Sequence, residues 1–344
     1  MSRINGLFVA IVFCAAASTP ARGDTFTFKI ATLAPDGSAW MEQMRAGARE
    51  IEMRSAGRVK FKFYPGGVMG NDQSVMRKIR IGQLHGAAFT GGGISDVYPD
   101  AQIYGLPFLF RDTGEVDYVR EHLDGTFERG LEEAGFVSFG IADGGFAHVM
   151  SSVPVRSLDD LKGQKAWVPE GDRVSYAVME AINVSPVTLP LTDVLTGLQT
   201  GLITVVASSP LGAIAFQWHT RIRYVTDVPL AYLYGIFAID RRSFLRLSAA
   251  DQAVMREVMA GVFRRLNAIN RADNQRAREA LVKQGVVFVT PPEGELIRWR
   301  AVADRVVADL AARRAYTPEL LARVQTLLSE YRAATPAAAH MKGH

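Results

Sequence analysis

Apolar and polar residues alternate from Thr25 to Leu33, the period of a strand with one covered face, and Ala34-Pro35-Asp36-Gly37 breaks the run. Past that break the spacing becomes that of an amphipathic helix, predicted over residues 39–55 with Ser38 or Asp36 as its cap. The same change of period predicts strands at 59–64 and 86–90 around a short helix at 72–81. A helix at 116–133 and strands at 137–142 and 232–240 follow the same rules. Ser248 and Asp251 form a capping box in its serine-to-acid form, and helical spacing runs from there to Gln284, where Gly285 ends it. A helix of about 35 residues is ~50 Å long, more than one small lobe is wide. A strand at 286–289 and amphipathic helices at 293–313 and 318–332 complete the pattern, the last with Thr317 as cap and Pro318 in its first position.

Residues 157–210 organise the remainder. A capped turn closed by Gly163 leads into Lys165-Ala166-Trp167-Val168-Pro169, a helix-like segment, a short strand at 187–190, and a second helix-like segment ending at Gly201. The strand Leu202–Ala207 and the turn Ser208-Ser209-Pro210 close it. Strands separated by helices predict a parallel sheet, and ligands of such sheets collect beyond the carboxyl ends of the strands. Trp167 to Asp172 and Ser208-Ser209 are two such ends, expected to form two walls of a binding site. The chain is expected to leave a first sheet near 146–153 and to return to it through 232–240, which makes two hinged lobes. The expected division is lobe I over 24–147, completed by part of 232–290, and lobe II over 148–231. The helix at 248–284 spans both, and 286–333 packs on them.

Residues 1–23 stand outside this fold. Arg3, the apolar run 7–17 and the small residues up to Ala21 have the form of a secretory leader, with cleavage expected between Ala17 and Gly23. Cys14, the single cysteine, lies within it, behind a bulky Phe13 that does not suit a lipoprotein anchor. The exported chain is then expected to have neither disulfides nor thiol chemistry. Removing Arg3 and Arg22 leaves 37 basic against 35 acidic residues, so no nucleic-acid-binding charge is expected. Residues 334–344 read as a disordered tail, and His340 and His344 as solvated rather than metal-binding.

Enzyme signatures are missing. There is no His-Glu-x-x-His, Gly-x-Ser-x-Gly or Ser-x-x-Lys, the histidines are scattered, and no cluster has metal spacing. Gly91-Gly92-Gly93 follows a strand and is either a tight turn or a set of exposed N–H groups beside a ligand; its spacing is not that of a nucleotide loop. Phe108, in Leu106-Pro107-Phe108-Leu109-Phe110, is a candidate for lining the cleft, while Phe110 reads as core. An exported two-lobed chain with a polar and aromatic cleft is best explained as a binding protein, without catalytic residues, cofactor or metal; the alternatives are a sensory or scaffolding binding protein and an exported enzyme on the same scaffold.

Phe63-Tyr64-Pro65-Gly66-Gly67 with Met69-Gly70, Leu106–Phe110, Ser157–Gly163 and Leu195–Ile203 together resemble the solute-binding proteins of TRAP transporters, the DctP-type family. The resemblance covers most of the chain past the leader. It implies an α/β, two-lobed periplasmic binding protein of the Venus-flytrap kind, with a long helix across both lobes. It further implies a monomer in the periplasm that captures a small organic solute and hands it to TRAP membrane permease subunits, with an accessory periplasmic protein as a further partner. In the family an arginine at the third position of a Lys-x-Arg-x-Pro strand pairs with a substrate carboxylate; aligned on Lys165 and Pro169, this chain has Trp167 there. An indole cannot replace a bidentate guanidinium, so the substrate is not expected to be a simple dicarboxylate, and an apolar, aromatic or cationic portion is admitted. Trp167 is expected in the cleft, with inward packing as the alternative. Glu170 and Asp172 are expected as contacts or as a helix cap, and Arg173 as a cation displaced along the chain. Ser208, Ser209, Gly92, Phe108, Phe146 and Ser38 complete the expected ligand-binding set.

Overall fold

The computed structural model describes residues 25–335; the leader, Cys14 and the terminal histidines lie outside them. Strand β1 (Phe26–Ala31) runs into helix α1 (Ala39–Arg54), whose N-terminus is capped by the Ser38 hydroxyl accepting the Met41 N–H at 3.4 Å. Strand β2 (Val59–Tyr64), helix α2 (Asp72–Arg80), strand β3 (Gly86–Thr90) and the single turn α3 (Gly91–Ile94) follow. Helix α4 (Thr113–Glu133) then leads into β4 (Phe136–Ser151), one strand of 16 residues where the sequence pattern marks a strand at 137–142 and expects the chain to leave the first sheet near 146–153.

The second lobe contains β5 (Trp167–Pro169), α5 (Arg173–Ala181), β6 (Val187–Leu189), α6 (Val194–Thr200), β7 (Val205–Ser208), α7 (Pro210–Ala215) and β8 (Tyr224–Thr226). Strand β9 (Ala231–Asp240) returns to the first lobe. After the turn α8 (Arg241–Phe244) come the 35-residue helix α9 (Ala249–Lys283), β10 (Val287–Val289), α10 (Glu293–Ala312) and α11 (Pro318–Ala334).

The sheet runs β10-β8-β4-β9-β3-β1-β2, with β7 on β4. β1 is parallel to β2 and β3, and β9 is antiparallel to β3 and to residues 136–147 of β4. From His148 onward β4 pairs instead with β7 and β8, so one strand serves both lobes. The sheet predicted for residues 157–210 is looser than expected. β5 and β6 are a parallel pair joined to β7 by a single bridge, Ala166 to Val205, and β7 is antiparallel to β4.

Helices α1 and α9 cover one face of the first lobe's sheet through Met44, Ile51, Met259 and Val262. On the other face lie α2, α4, α10 and α11, through Val75, Phe127, Val306 and Leu328. The far end of α9 reaches the second lobe, where Leu281 joins Met150, Val206 and Trp218. Where β4 passes between lobes it bulges at Asp143–Gly145, and one side of α9 holds that bulge. Asn267 accepts the Asp143 N–H at 2.8 Å, Asn270 donates to the Asp143 carbonyl at 2.8 Å, and Arg271 pairs with the Asp143 carboxylate at 2.7 Å. Asn274 accepts the Leu211 N–H from α7 at 3.1 Å, which ties the same row to the second lobe.

Candidate functional site

At the carboxyl ends of β1 and β3 lies a crevice lined by Thr32, Leu33, Gly67, Met69, Asp72 and Ala88, too narrow in this structure to admit a water molecule. This is where the topology of parallel strands puts a ligand. Asp72 is the first residue of α2, whose cap is the Asn71 side chain accepting the Ser74 N–H at 2.9 Å. Asp72 is half-buried. Its Oδ2 accepts both the Thr90 N–H at 3.2 Å and the Thr90 hydroxyl at 2.8 Å. Burial raises its carboxyl from 3.8 to about 6, against the smaller opposing pull of those two hydrogen bonds. No basic side chain contributes to that balance.

The three glycines after β3 are explained by close approach. A methyl group at Gly93 would overlap the Asp72 carboxylate, and one at Gly91 would overlap the Tyr234 hydroxyl, which donates to the Ala101 carbonyl. The N–H that this loop offers through Thr90 is therefore already held by the chain's own carboxylate. Gly92 faces the opposite lobe, where a Cβ on it would lie 3.7 Å from Cα of Asp172.

That opposite wall is the turn from β5 to α5. Gly171 has φ +87°, and Asp172 caps α5 by accepting the Ser175 N–H at 3.0 Å and its hydroxyl at 2.6 Å. Glu170 accepts a hydrogen bond from the Asn71 amide across the gap, and Arg173 pairs with Asp96 at 2.9 Å. Gly67 lies so close to Thr192 that a Cβ on it would be 2.6 Å from the threonine methyl. The two walls thus touch along the loops after β2, β3 and β5, with Asp72 behind the contact.

Several expected residues have other duties. Trp167 is 6% exposed, edge-on to Trp218 at 5.3 Å, and its indole N–H is donated to the Leu189 carbonyl at 3.0 Å. It belongs to the core of the second lobe, and its expected place in the cleft is corrected accordingly. A short strand with one central apolar position cannot bury its sheet face without it. Arg173 is 71% exposed in its side chain and matched by Asp96, so it does not supply the missing guanidinium to the cleft. Ser208 and Ser209 are buried, and Ser209 caps α7 by accepting the Gly212 N–H at 3.2 Å. Ser38 is the cap of α1.

Phe146 is half-buried beside Tyr232, ring centres 5.8 Å apart, on the part of β4 that approaches the hinge. Phe108 has φ +55° and lies under the Arg300 guanidinium at 5.1 Å, packed on the first lobe's core. Sequence reasoning passed over Asp72 and Thr90. The only signal was an acid two residues past Gly70 at a helix start, indistinguishable from an ordinary first-turn acid until Thr90 is folded beside it. Among the described residues no group of histidine, cysteine and acidic side chains is arranged to hold a metal ion.

A hinged α/β fold with a shared strand and facing loops across a crevice defines a solute-binding protein. Residues 30–314 match the family model for bacterial extracellular solute-binding protein, family 7, DctP, and the chain belongs to that family. It is 24% identical over 251 residues to the 2,3-diketo-L-gulonate-binding periplasmic protein YiaO of Escherichia coli strain K12, across 70% of this chain and 74% of that one. To the sialic acid-binding periplasmic protein SiaP of Vibrio cholerae it is 25% identical over 209 residues, 59% of this chain and 63% of that one. A solute-binding protein of Verminephrobacter eiseniae is 28% identical, and the match spans 62% of its length.

Among solved structures, the sugar acid binding protein DctPAm of Advenella mimigardefordensis in complex with galactonate superposes with a TM-score of 0.82 at 19% identity, covering 90% of this chain and 99% of that one. A TRAP periplasmic solute-binding protein of Desulfovibrio salexigens with bound orotic acid gives 0.81 at 18%, covering 89% and 100%. These show the same fold. Among the described residues no helix is long and apolar enough to cross a membrane.

Proposed function

We propose that this chain is the periplasmic solute-capturing component of a TRAP-type secondary transporter, closing on a small organic solute and presenting it to membrane permease subunits. The observation that carries the reading is β4. One strand pairs with β9 in the first lobe and with β7 and β8 in the second, while loops from both lobes meet across the crevice. Such a molecule works by population shift, because contacts made to both walls at once favour the closed form. The division we adopt is lobe I over 24–147 with part of 232–290 and lobe II over 148–231. Periplasmic location after removal of the leader, a monomeric state and the lack of any catalytic role belong to the same reading. An accessory periplasmic partner is compatible with it.

The substrate is not a simple dicarboxylate. In support, Arg173, a basic side chain at the meeting walls, already has Asp96 as its partner, and the acids there are Asp72, Glu170 and Asp172. The test is a thermal-shift screen of the purified chain against sugar acids, neutral sugars, amines, aromatic acids and small lipids. A solute should raise the melting temperature with the logarithm of its concentration above Kd, and small-angle scattering should show compaction. Stabilisation by none of these classes, or chemical turnover of one of them, would overturn the reading.

A further inference from the structure

The two lobes touch at the rim of the crevice through groups of the protein itself. Arg173, the first residue of α5, lies with Nη2 2.9 Å from Asp96 Oδ1, in the segment after α3; 71% of the arginine side chain and 53% of the aspartate side chain are exposed. Beside it the Asn71 amide, at the cap of α2, donates to the Glu170 carboxylate. The partners are 77 and 99 positions apart, and each pair has one member in each lobe.

Glycines let the walls come this close. A Cβ on Gly67 would stand 2.6 Å from the Thr192 methyl, and one on Gly171 would stand 3.3 Å from the Gln73 amide nitrogen. A larger residue at Gly67 would hold the lobes apart. Rotating the lobes about the shared strand β4 separates both polar pairs, while the cores around Met259 in the first lobe and Trp218 in the second stay intact. The two pairs are therefore contacts of the closed arrangement that no solute has to supply.

We propose that Arg173–Asp96 and Glu170–Asn71 are a latch that biases the lobes toward closure and so sets the strength of solute capture without touching the solute. This rests on the solute-capture reading above. An exposed ion pair contributes about two- to fivefold to an equilibrium. A solute held only by the closed form binds with its intrinsic Kd divided by the fraction of molecules already closed. While the open form predominates, the latch thus strengthens binding of every solute by the same factor and leaves specificity unchanged. Salt screens an exposed pair, so ionic strength loosens the latch.

The test is the distance between two spin labels, measured by double electron–electron resonance on the chain without added solute. From Asp24 onward the sequence has no cysteine, so Arg80→Cys on α2 and Glu180→Cys on α5 label one exposed position in each lobe. A short-distance and a long-distance population are expected. Arg173→Ala should lower the short-to-long ratio about two- to fivefold, and Arg173→Glu further; adding Asp96→Arg to Arg173→Glu should restore it. Glu170→Ala should act in the same direction as Arg173→Ala. Raising NaCl from about 20 mM to about 500 mM should lower the ratio in the parent and lower it less in Arg173→Ala. A ratio unmoved by Arg173→Glu, a charge swap that fails to restore it, or a single distance that neither salt nor any variant changes would overturn the latch. The salt comparison in the parent needs no variant, so it decides even if a substituted chain does not fold. If a solute from the thermal-shift screen drives the labels together while the variants change nothing, the latch alone is wrong; if no solute binds, the capture reading fails.

Discussion

Replacing Asp72 by asparagine should make the empty protein more stable, and the size of the gain can be worked out. In the unfolded chain the carboxyl titrates at its ordinary 3.8; in the folded protein burial lifts it to about 6. A raised folded value means that the native state prefers the protonated form. The charged form therefore destabilises the fold, and the penalty grows with pH through the window between these two values. The difference of about two pH units at ~1.4 kcal/mol each gives about 3 kcal/mol, complete above pH 7. At pH 5 the same relation leaves about half of this, and at pH 4 only a small fraction. Asparagine carries no charge and keeps a carbonyl for the Thr90 N–H, although it loses the extra strength of a charged acceptor, about 1 kcal/mol.

The expected net gain is thus about 2 kcal/mol at pH 7.5 and less than about 1 kcal/mol at pH 5. Urea unfolding of both proteins without ligand, at these two pH values, measures it. Glu170, Asp172, Asp96, Arg173 and Lys78 are the same in both chains, so the comparison isolates Asp72. A variant less stable than the parent at pH 7.5, or a difference that does not change with pH, would refute the reasoning. The carboxylate would then be a fully compensated structural group.

Other substitutions have separate expected outcomes. Trp167→Ala should cost about 3–5 kcal/mol, because it opens a cavity beside Trp218 and leaves the Leu189 carbonyl without its indole donor; an unchanged urea midpoint would return the indole to the cleft. Arg271→Ala leaves the fully buried Asp143 carboxylate without its cation and should cost about 3–5 kcal/mol, read by the same unfolding assay. Arg173→Ala breaks only an exposed pair with Asp96 and should change stability by less than about 1 kcal/mol. A larger loss would mean that the wall contact, rather than the two cores, holds the lobes together.

The elements with strong periodicity were readable from the chain. The capping box at Ser248 and Asp251 and the glycine at 285 bracket α9 almost to the residue, because local hydrogen bonds decide both ends. β9 was readable for a similar reason, since it is apolar along most of its length and central in the sheet. What local pattern could not show was which strand each one joins. The chain was read as leaving the first sheet near 146–153, but local pattern did not show that Gly144-Gly145 is a bulge that α9 holds from the side through residues 124 or more positions distant.

The site was legible as a pair of walls but not in the roles of its side chains. Glu170, Asp172 and Arg173 do stand where the lobes meet, yet each is matched there by a protein partner: Asn71, Ser175 and Asp96. Trp167 shows why. Reading it as a cleft residue assumed that a position keeps its direction when its residue changes from guanidinium to indole. Burial free energy scales with apolar area, about 25 cal/mol per Å2, and an indole of some 200 Å2 gains several kcal/mol by turning inward beside Trp218. A guanidinium gains nothing from the same turn and stays at the wall. The substitution thus removes a positive charge from the site and gives the second lobe a larger core.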